Sequence, residues 1–411
     1  GIAGLILLGK IFIPVYYAHQ CTTVTELLER RYGDKNLCAT VASLFLVGNL
    51  GLFLPTMLYT SSLFLRSMLG LPDEILVIDS LLALATFIAV VGAAYAIFGG
   101  LRAVAVSDTY SGVLVFTLAF VLVFLALGAV GWDLSDLPPE RLTLIGDEQS
   151  VLPWTTLLTG MIFSQLFYFS TNQTITQRAL AAPSVREAQR GAYAAAAIRL
   201  LLVPPIVVIP GLCAFKLYGD LDDATYGHIV GQLLPHWLQG AFAAAMVAAV
   251  MTSFNSALNS SAALYVCDLH QRYINPKPNI VRLSVSLQVG AALLAIALVP
   301  AYRGAESIIQ LIQKLLGIFS MPILSAFIIG LLFRGVEGRA VIATLLFGAG
   351  LQAFFTFAWS PLHFLHLMFV TVWACVGFAL LLNRVVFGRR AQFLLRDAER
   401  RRAAFAQLRG R

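Results

Sequence analysis

Charge is what this chain has least of. Only 12% of its 411 residues are Asp, Glu, Lys or Arg, about half the roughly 25% of a soluble globular domain. That deficit excludes a water-soluble fold. Catalytic chemistry is equally thin, with six scattered histidines, no HExxH and no paired acidic motif, so an intramembrane enzyme lacks its constellation. His363 and His366 share a helical face in SPLHFLHLMF, but among aromatics at a membrane boundary they read as interfacial residues rather than metal ligands. The five cysteines, Cys21, Cys38, Cys213, Cys267 and Cys375, form an odd set without C-x-x-C spacing. They read as small buried hydrophobes, not as a disulfide framework or a metal site. The net charge of +7 comes without aromatic interleaving on one basic face, so no nucleic-acid partner is expected.

Apolar residues occupy the rest. They make up 59% of the chain, the mean hydropathy is +0.82, and the runs are long enough to cross roughly 30 Å of hydrocarbon as helices of about 20 residues. The expected spans are 1–17, 38–68, 75–98, 105–131, 151–170, 191–215, 232–264, 280–300, 307–333, 339–359 and 363–387. This is an all-α polytopic membrane protein whose first solvent is the lipid bilayer. The first span is short, with no initiator Met and no signal-peptide cleavage pattern, and reads as the end of a truncated helix. Residues 1–388 form the expected transmembrane core and 389–411 a basic tail.

Basic residues alternate from loop to loop. One set of connections holds Arg30, Arg31, Lys35, Arg102, Arg178, Arg186, Arg190, Arg272, Lys277, Arg282, Arg334 and Arg339, with nine more basic residues from Arg384 to Arg411. The opposite set holds only Arg66, Arg141, Lys216 and Arg303 among many acids, including Asp73, Asp133, Asp136, Asp147, Glu148 and Asp220. Cytoplasmic loops carry the excess of Lys and Arg, which places the carboxyl terminus in the cytoplasm of a multi-pass cell-membrane protein. The tail, RRAQFLLRDAERRRAAFAQLRGR, reads as a basic helical anchor on anionic lipid.

One polar cluster stands out inside the greasy background. Residues 251–264, MTSFNSALNSSAAL, crowd seven hydrogen-bonding side chains into ten positions at the end of an apolar run, where polar groups are costly unless they pair or line a cavity. Ala249, Thr252, Ser253 and Ser256 share one helical face. Their hydroxyls, beside a free backbone carbonyl, are hard ligands of the type that suits Na⁺. A packing seam in which each hydroxyl bonds back one turn is the alternative.

Four stretches carry a resemblance over nearly the whole chain: IFIPVYYAHQCTTVTELLERRYG, AIFGGLRAVAVSDTYSGVLVF, FYFSTNQTITQRALAAPSVREAQRG and MTSFNSALNSSAALYVCDLHQRY. In order and spacing they resemble the sodium:solute symporter family, the sugar-transporting branch in particular. The resemblance implies a leucine-transporter-type fold of two inverted five-helix repeats, with the family's first helices missing from this chain. It also implies coupling of inward sodium flow to uptake of a small polar solute, a sugar or a sugar-like molecule. Sialic acid, a carboxylate, inositol or an amino acid are the alternative solutes, and a transporter-like sensor the alternative role.

Residue by residue, the resemblance implies sodium ligands at the Ala249 carbonyl and the Thr252 and Ser253 hydroxyls. It brings Asp108 close to the helix bearing Asn255 and Ser256, as a second sodium site or an exit path, while a cap at the start of the Asp108 helix is the bland alternative. Tyr168 falls at an inner-gate position and Gln165 at a polar sugar contact. Gln313 matches a sugar-contacting glutamine, with Gln310 one turn away as the other register. Arg199 lies one residue from a sugar-contacting lysine position, and a snorkelling Arg is its alternative.

Overall fold

The computed structural model describes residues 1–75, 78–143, 145–146, 152–303 and 308–394. The Arg102 side chain, Asp147, Glu148 and the tail from residue 395 onward lie outside what is described. In hydrocarbon every backbone N–H and C=O needs an internal partner, so an apolar chain of this kind must be helical. Among the described residues nine helical stretches are long and apolar enough to cross a membrane, and the shorter apolar helix Ile2–Ala18 precedes them. The expected spans fall on these helices to within a few residues, except where polarity extends the helix beyond the apolar run. Val185–Tyr218 begins six residues before the expected start at 191, because Ser184 caps it through Glu187 N–H.

The expected 151–170 span is not one helix. A short helical turn over Trp154–Leu158 leads into helix Gly160–Leu166, then a widened π turn over Phe167–Thr171. The helix then breaks. Asn172 is extended at φ −78° and ψ 121°, and its side chain accepts from Thr174 N–H, capping a new helix, Gln173–Leu180. Asn and Asp favour this position because a short carboxamide or carboxylate satisfies an orphan N–H of the following turn. Similar π turns interrupt the helices at Leu8–Phe12, Asn49–Phe53 and Leu264–His270.

Side chains from these helices form two large apolar cores. One gathers Ile13, Leu28, Val41, Leu46, Leu264, Phe327 and Leu345; the other gathers Leu54, Leu58, Ile88, Leu122, Phe254, Leu258 and Ala295. Helix Lys35–Leu69 passes from the first core to the second, and its crossing point is Asn49. Helix His236–Tyr273 makes the same passage in reverse, and its crossing point is Ser260 and Ser261. The Asn49 amide donates to both hydroxyls, at 3.3 and 3.2 Å. A polar layer therefore lies between the two cores.

The two ends of the bundle differ in charge as the loop pattern requires. At one end, all four of the minority basic residues meet carboxylates: Arg66 with Asp73 at 2.7 Å, Arg141 with Asp220 at 2.9 Å, Lys216 with Asp136 at 3.1 Å and Arg303 with Asp79 at 2.6 Å. At the other end the loops knit to one another. Arg31 donates to the Gly330 and Phe333 carbonyls, and Tyr273 donates to Asn36. Helix Val24–Tyr32 opens there with a capping box, in which Thr23 accepts from Glu26 N–H and Glu26 accepts from Thr22 N–H and Arg30. Burial works to raise the Glu26 carboxyl, but Arg30 and the Thr22 and Thr23 amides overcome it and hold the group below its ordinary value.

The start of the tail is tied to the core. Gln392–Phe393 pairs antiparallel with Phe333–Arg334, and Arg389 meets Glu337 at 2.6 Å. The fully buried Asn383 amide closes the turn by donating to the Gly335 and Arg389 carbonyls and accepting from Glu337 N–H. A buried group left without its partner costs about 1–3 kcal/mol. Asn383→Ala is therefore expected to lower the melting temperature of the purified protein by several degrees; an unchanged melt would show that this turn adds nothing to the fold.

Candidate functional site

The polar stretch 251–264 lies on helix His236–Ala263, opposite the new helix that starts after the Asn172 break. Thr174, Gln177 and Arg178 occupy one face of that short helix, at steps of three and one. They meet Ser260, Ser256 and Thr252, which are spaced by four residues in the reverse order. Thr174 Oγ1 lies 2.9 Å from Ser260 Oγ, and the Gln177 amide donates to the Ser256 carbonyl at 3.0 Å. The Arg178 guanidinium donates to Ser256 Oγ and, at 3.4 Å, to the Thr252 carbonyl. Two helical faces with matched spacing close like a zipper.

Several hydroxyls of the stretch also bond back along their own helix. Thr252 donates to the Ala249 carbonyl at 2.9 Å, Ser256 to the Thr252 carbonyl at 2.9 Å and Ser260 to the Ala257 carbonyl at 3.0 Å. The back-bonded seam anticipated as the alternative is thus present. It leaves the Thr252 hydroxyl its oxygen lone pairs, since a donating hydroxyl can still accept, while the Ala249 carbonyl accepts from Thr252 as well as from the helix backbone. Ser253 is half-buried, and its hydroxyl has no hydrogen bond to the described residues. Ala249, Thr252 and Ser253 therefore present neutral oxygens on one side of the helix. Among the described residues no cluster of three His, Cys, Asp or Glu side chains exists to hold a softer or more highly charged metal.

Asp108 stands near the start of the span Val106–Ala129, but its carboxylate meets another helix: Oδ2 sits 2.8 Å from Arg178 Nη1. Arg178, counted above among loop residues, instead stands on helix Gln173–Leu180 and bridges three helices. A loop and an amphipathic helical turn read alike in TNQTITQRALAAPS, and only the partner carboxylate distinguishes them. Ser256 joins this contact, whereas Asn255 does not. Asn255 is fully buried with neither amide atom bonded, and it faces Gly92, where an added Cβ would come within 3.6 Å of the carboxamide oxygen and 3.2 Å of the Phe254 ring.

Three of the residues assigned to solute, Gln165, Tyr168 and Arg199, lie around the π turn. Gln165 and Tyr168 lie one turn apart, with Tyr168 packed edge-on to Phe169 at 5.0 Å. The Arg199 guanidinium lies over that same Phe169 ring, 5.1 Å from its centre. Gly4 lets helix Ile2–Ala18 approach here, since an added Cβ would sit 2.6 Å from the Gln165 carbonyl. Gln313, on helix Ile308–Leu332, leaves its Oε1 buried without a partner. A surface cavity of about 250 Å³, lined by His270, Asn275, Asn279, Arg282 and Ser286, lies at the end of helix His236–Tyr273 and involves none of these residues.

With this geometry in view, the comparisons with known proteins are direct. The model of the sodium:solute symporter family matches residues 2–348, and the chain belongs to that family. It is 31% identical to the uncharacterized symporter YidK of Escherichia coli (strain K12), over 96% of this chain and 72% of that protein. It is 30% identical to the sodium/glucose cotransporter of Vibrio parahaemolyticus, over 90% of this chain and 72% of the relative. Sodium/myo-inositol cotransporter 2 of Mus musculus is 28% identical over 85% of this chain, which spans 57% of that relative's length. Among solved structures, a Na⁺-coupled sialic acid symporter superposes with a TM-score of 0.77 at 18% identity, covering 93% of this chain and 83% of that one. The transporter MhsT, in complex with L-phenylalanine, gives 0.56 at 15% identity over 92% and 88%. The fold is that of leucine-transporter-type carriers: an all-α multi-pass membrane protein that couples sodium to a solute and is not an enzyme.

Replacing a cation ligand removes part of its binding energy without removing the fold. Ser253→Ala is expected to raise the sodium concentration for half-maximal uptake about tenfold, equivalent to ~1.4 kcal/mol, and Thr252→Ala to act in the same direction. Unchanged sodium dependence in both variants would sink the ligand assignment.

Proposed function

We propose that this chain takes up a sugar or a closely similar polyol with sodium, by alternating access around the polar layer. The observation that carries this reading is the set of neutral oxygens at Ala249, Thr252 and Ser253, placed beside the zipper and one turn from the Asp108–Arg178 pair. Neutral hard oxygens suit a monovalent cation that must be released each cycle, whereas carboxylate cages suit tighter divalent binding. The sugar class is supported by the names of the glucose and myo-inositol relatives. Gln165 and Gln313 supply amides for hydroxyls, Tyr168 a ring edge and hydroxyl, and Arg199 a further donor.

In this reading Ala249, Thr252 and Ser253 hold sodium, and Asp108, Asn255 and Ser256 form its path to the cytoplasm. Sodium bound from outside favours the state that binds solute, and by linkage solute favours sodium. One charge moving down 100 mV provides about 2.3 kcal/mol, to which the sodium concentration gradient adds. The basic end of the bundle faces the cytoplasm and carries the carboxyl terminus. Residues 1–388 make the transporting core, and the basic tail 389–411 rests on anionic lipid.

Proteoliposomes containing the full chain test this. An imposed inward sodium gradient should drive accumulation of a labelled hexose or inositol, and dissipating the gradient should abolish it. Binding of solute without sodium-driven accumulation would favour a sensor instead. Gln313→Ala is expected to weaken solute binding about tenfold, with sodium affinity in the absence of solute unchanged. A loss seen only in Gln310→Ala would move the contact one turn along the same helix.

A further inference from the structure

Three oxygens converge on the Arg178 guanidinium: Asp108 Oδ2 at 2.8 Å, Ser256 Oγ, and the Thr252 carbonyl at 3.4 Å. They come from two helices, and the guanidinium reaches them from a third. Without Arg178 the same three atoms would be an anionic oxygen site of the kind that takes a hard monovalent cation. With it, a cation is already present. The guanidinium stays protonated at any physiological pH, and its Nε is buried without a partner, so the group is held here by its terminal nitrogens alone. Thr252 is contacted on its carbonyl by Arg178 and offers its hydroxyl on the side of Ala249. A sodium ion at Ala249, Thr252 and Ser253 and the guanidinium are thus neighbours of like charge, and Asp108 pairs with the guanidinium.

We infer that Arg178 is a tethered cation that occupies a potential second sodium position, limits the chain to one sodium per cycle and guards the exit of that ion. The inference rests on the sodium site proposed above. Sodium leaving toward the cytoplasm must pass Asp108 and Ser256, and can do so only as Arg178 gives them up. The zipper geometry permits this, because Arg178 stands near the end of its short helix, one turn beyond Thr174, which with Gln177 keeps its own bond to the facing helix. Arg178 is accordingly a positioning residue with a second effect, the exclusion of a competing ion.

The test counts sodium ions on the purified full-length protein, by equilibrium binding of radioactive sodium and by the sodium dependence of the melting temperature. One ion per chain is expected in the unaltered protein and in R178K, which keeps a charge near Asp108. Two are expected in R178Q, with a Hill coefficient above one, and one again in R178Q/D108N. A purely structural role for Arg178 would change stability but not the number of ions. Arg178→Met keeps the apolar stem and replaces R178Q if that variant does not fold, while the unaltered protein decides in either case. Two ions in the unaltered protein, or none, overturn the inference, as does a single ion in a folded neutral variant. One bound ion without solute uptake would sink the transport reading while leaving Arg178 in its proposed role.

Discussion

The match between two helical faces governs this structure: Thr174, Gln177 and Arg178 on one helix against Ser260, Ser256 and Thr252 on another. Between apolar helices in lipid there is no hydrophobic gain from association, so packing and hydrogen bonds decide which faces meet. Here the hydrogen bonds lie in a single layer between two apolar cores, with Asn49 extending it on a third helix. Each core can therefore pack densely on its own. The layer joins them through polar contacts, which re-pair at lower cost than a close-packed apolar interface can slide.

The break at Asn172 makes that layer possible. A straight continuation of the helix through residue 172 would direct Thr174, Gln177 and Arg178 elsewhere. The Asn172 cap instead starts a new helix at the level of Ser260. The π turn just before it spends an extra residue in the backbone and leaves Tyr168 and Phe169 at the place where Arg199 arrives. The features proposed for solute and those proposed for sodium are thus set by one irregular segment of six residues, 167–172.

Much of this was legible in the residues. Twenty-residue apolar runs and alternating basic loops gave the helices and their order, because the bilayer leaves the backbone few options. The 251–264 cluster was visible as the densest polarity inside an apolar run. Arg178 was not visible, since a basic residue near the end of a span is indistinguishable from a loop residue until its carboxylate partner is located. The break at Asn172 was hidden for a related reason. Asn, Gln and Thr in sequence are compatible with a helix end, a cap or a loop, and the choice is made by Ser260 and Ser256, more than seventy residues away. Asp108 looked like a cap because a Gly-Gly pair and Arg102 precede it, and it does stand near the start of a span, but its carboxylate partner lies on another helix.

The helix that carries the proposed sodium oxygens also reaches the basic end of the bundle. Beyond the polar layer it widens into the π turn Leu264–His270, and there Asp268, only 1% exposed, accepts from Thr23 at 3.2 Å and Thr25 at 2.5 Å. Arg272, one turn on, lies 3.6 Å from Asp268 and is ion-paired with Glu29. Thr23, Thr25 and Glu29 all belong to the capped helix that links the first two spans. A buried carboxylate with two hydroxyl donors and one arginine is satisfied only in a narrow geometry, so this end of the helix and that loop must move together or separate at a cost of several kcal/mol. Any rotation of the helix that exposes Thr252 and Ser253 to one side of the membrane therefore transmits to the loop helix Val24–Tyr32, and through Arg31 to the Gly330 and Phe333 carbonyls. The proposed ion site and the loops at the basic end are thus joined along one helical stretch, which is the physical requirement for binding at the first to bias the second.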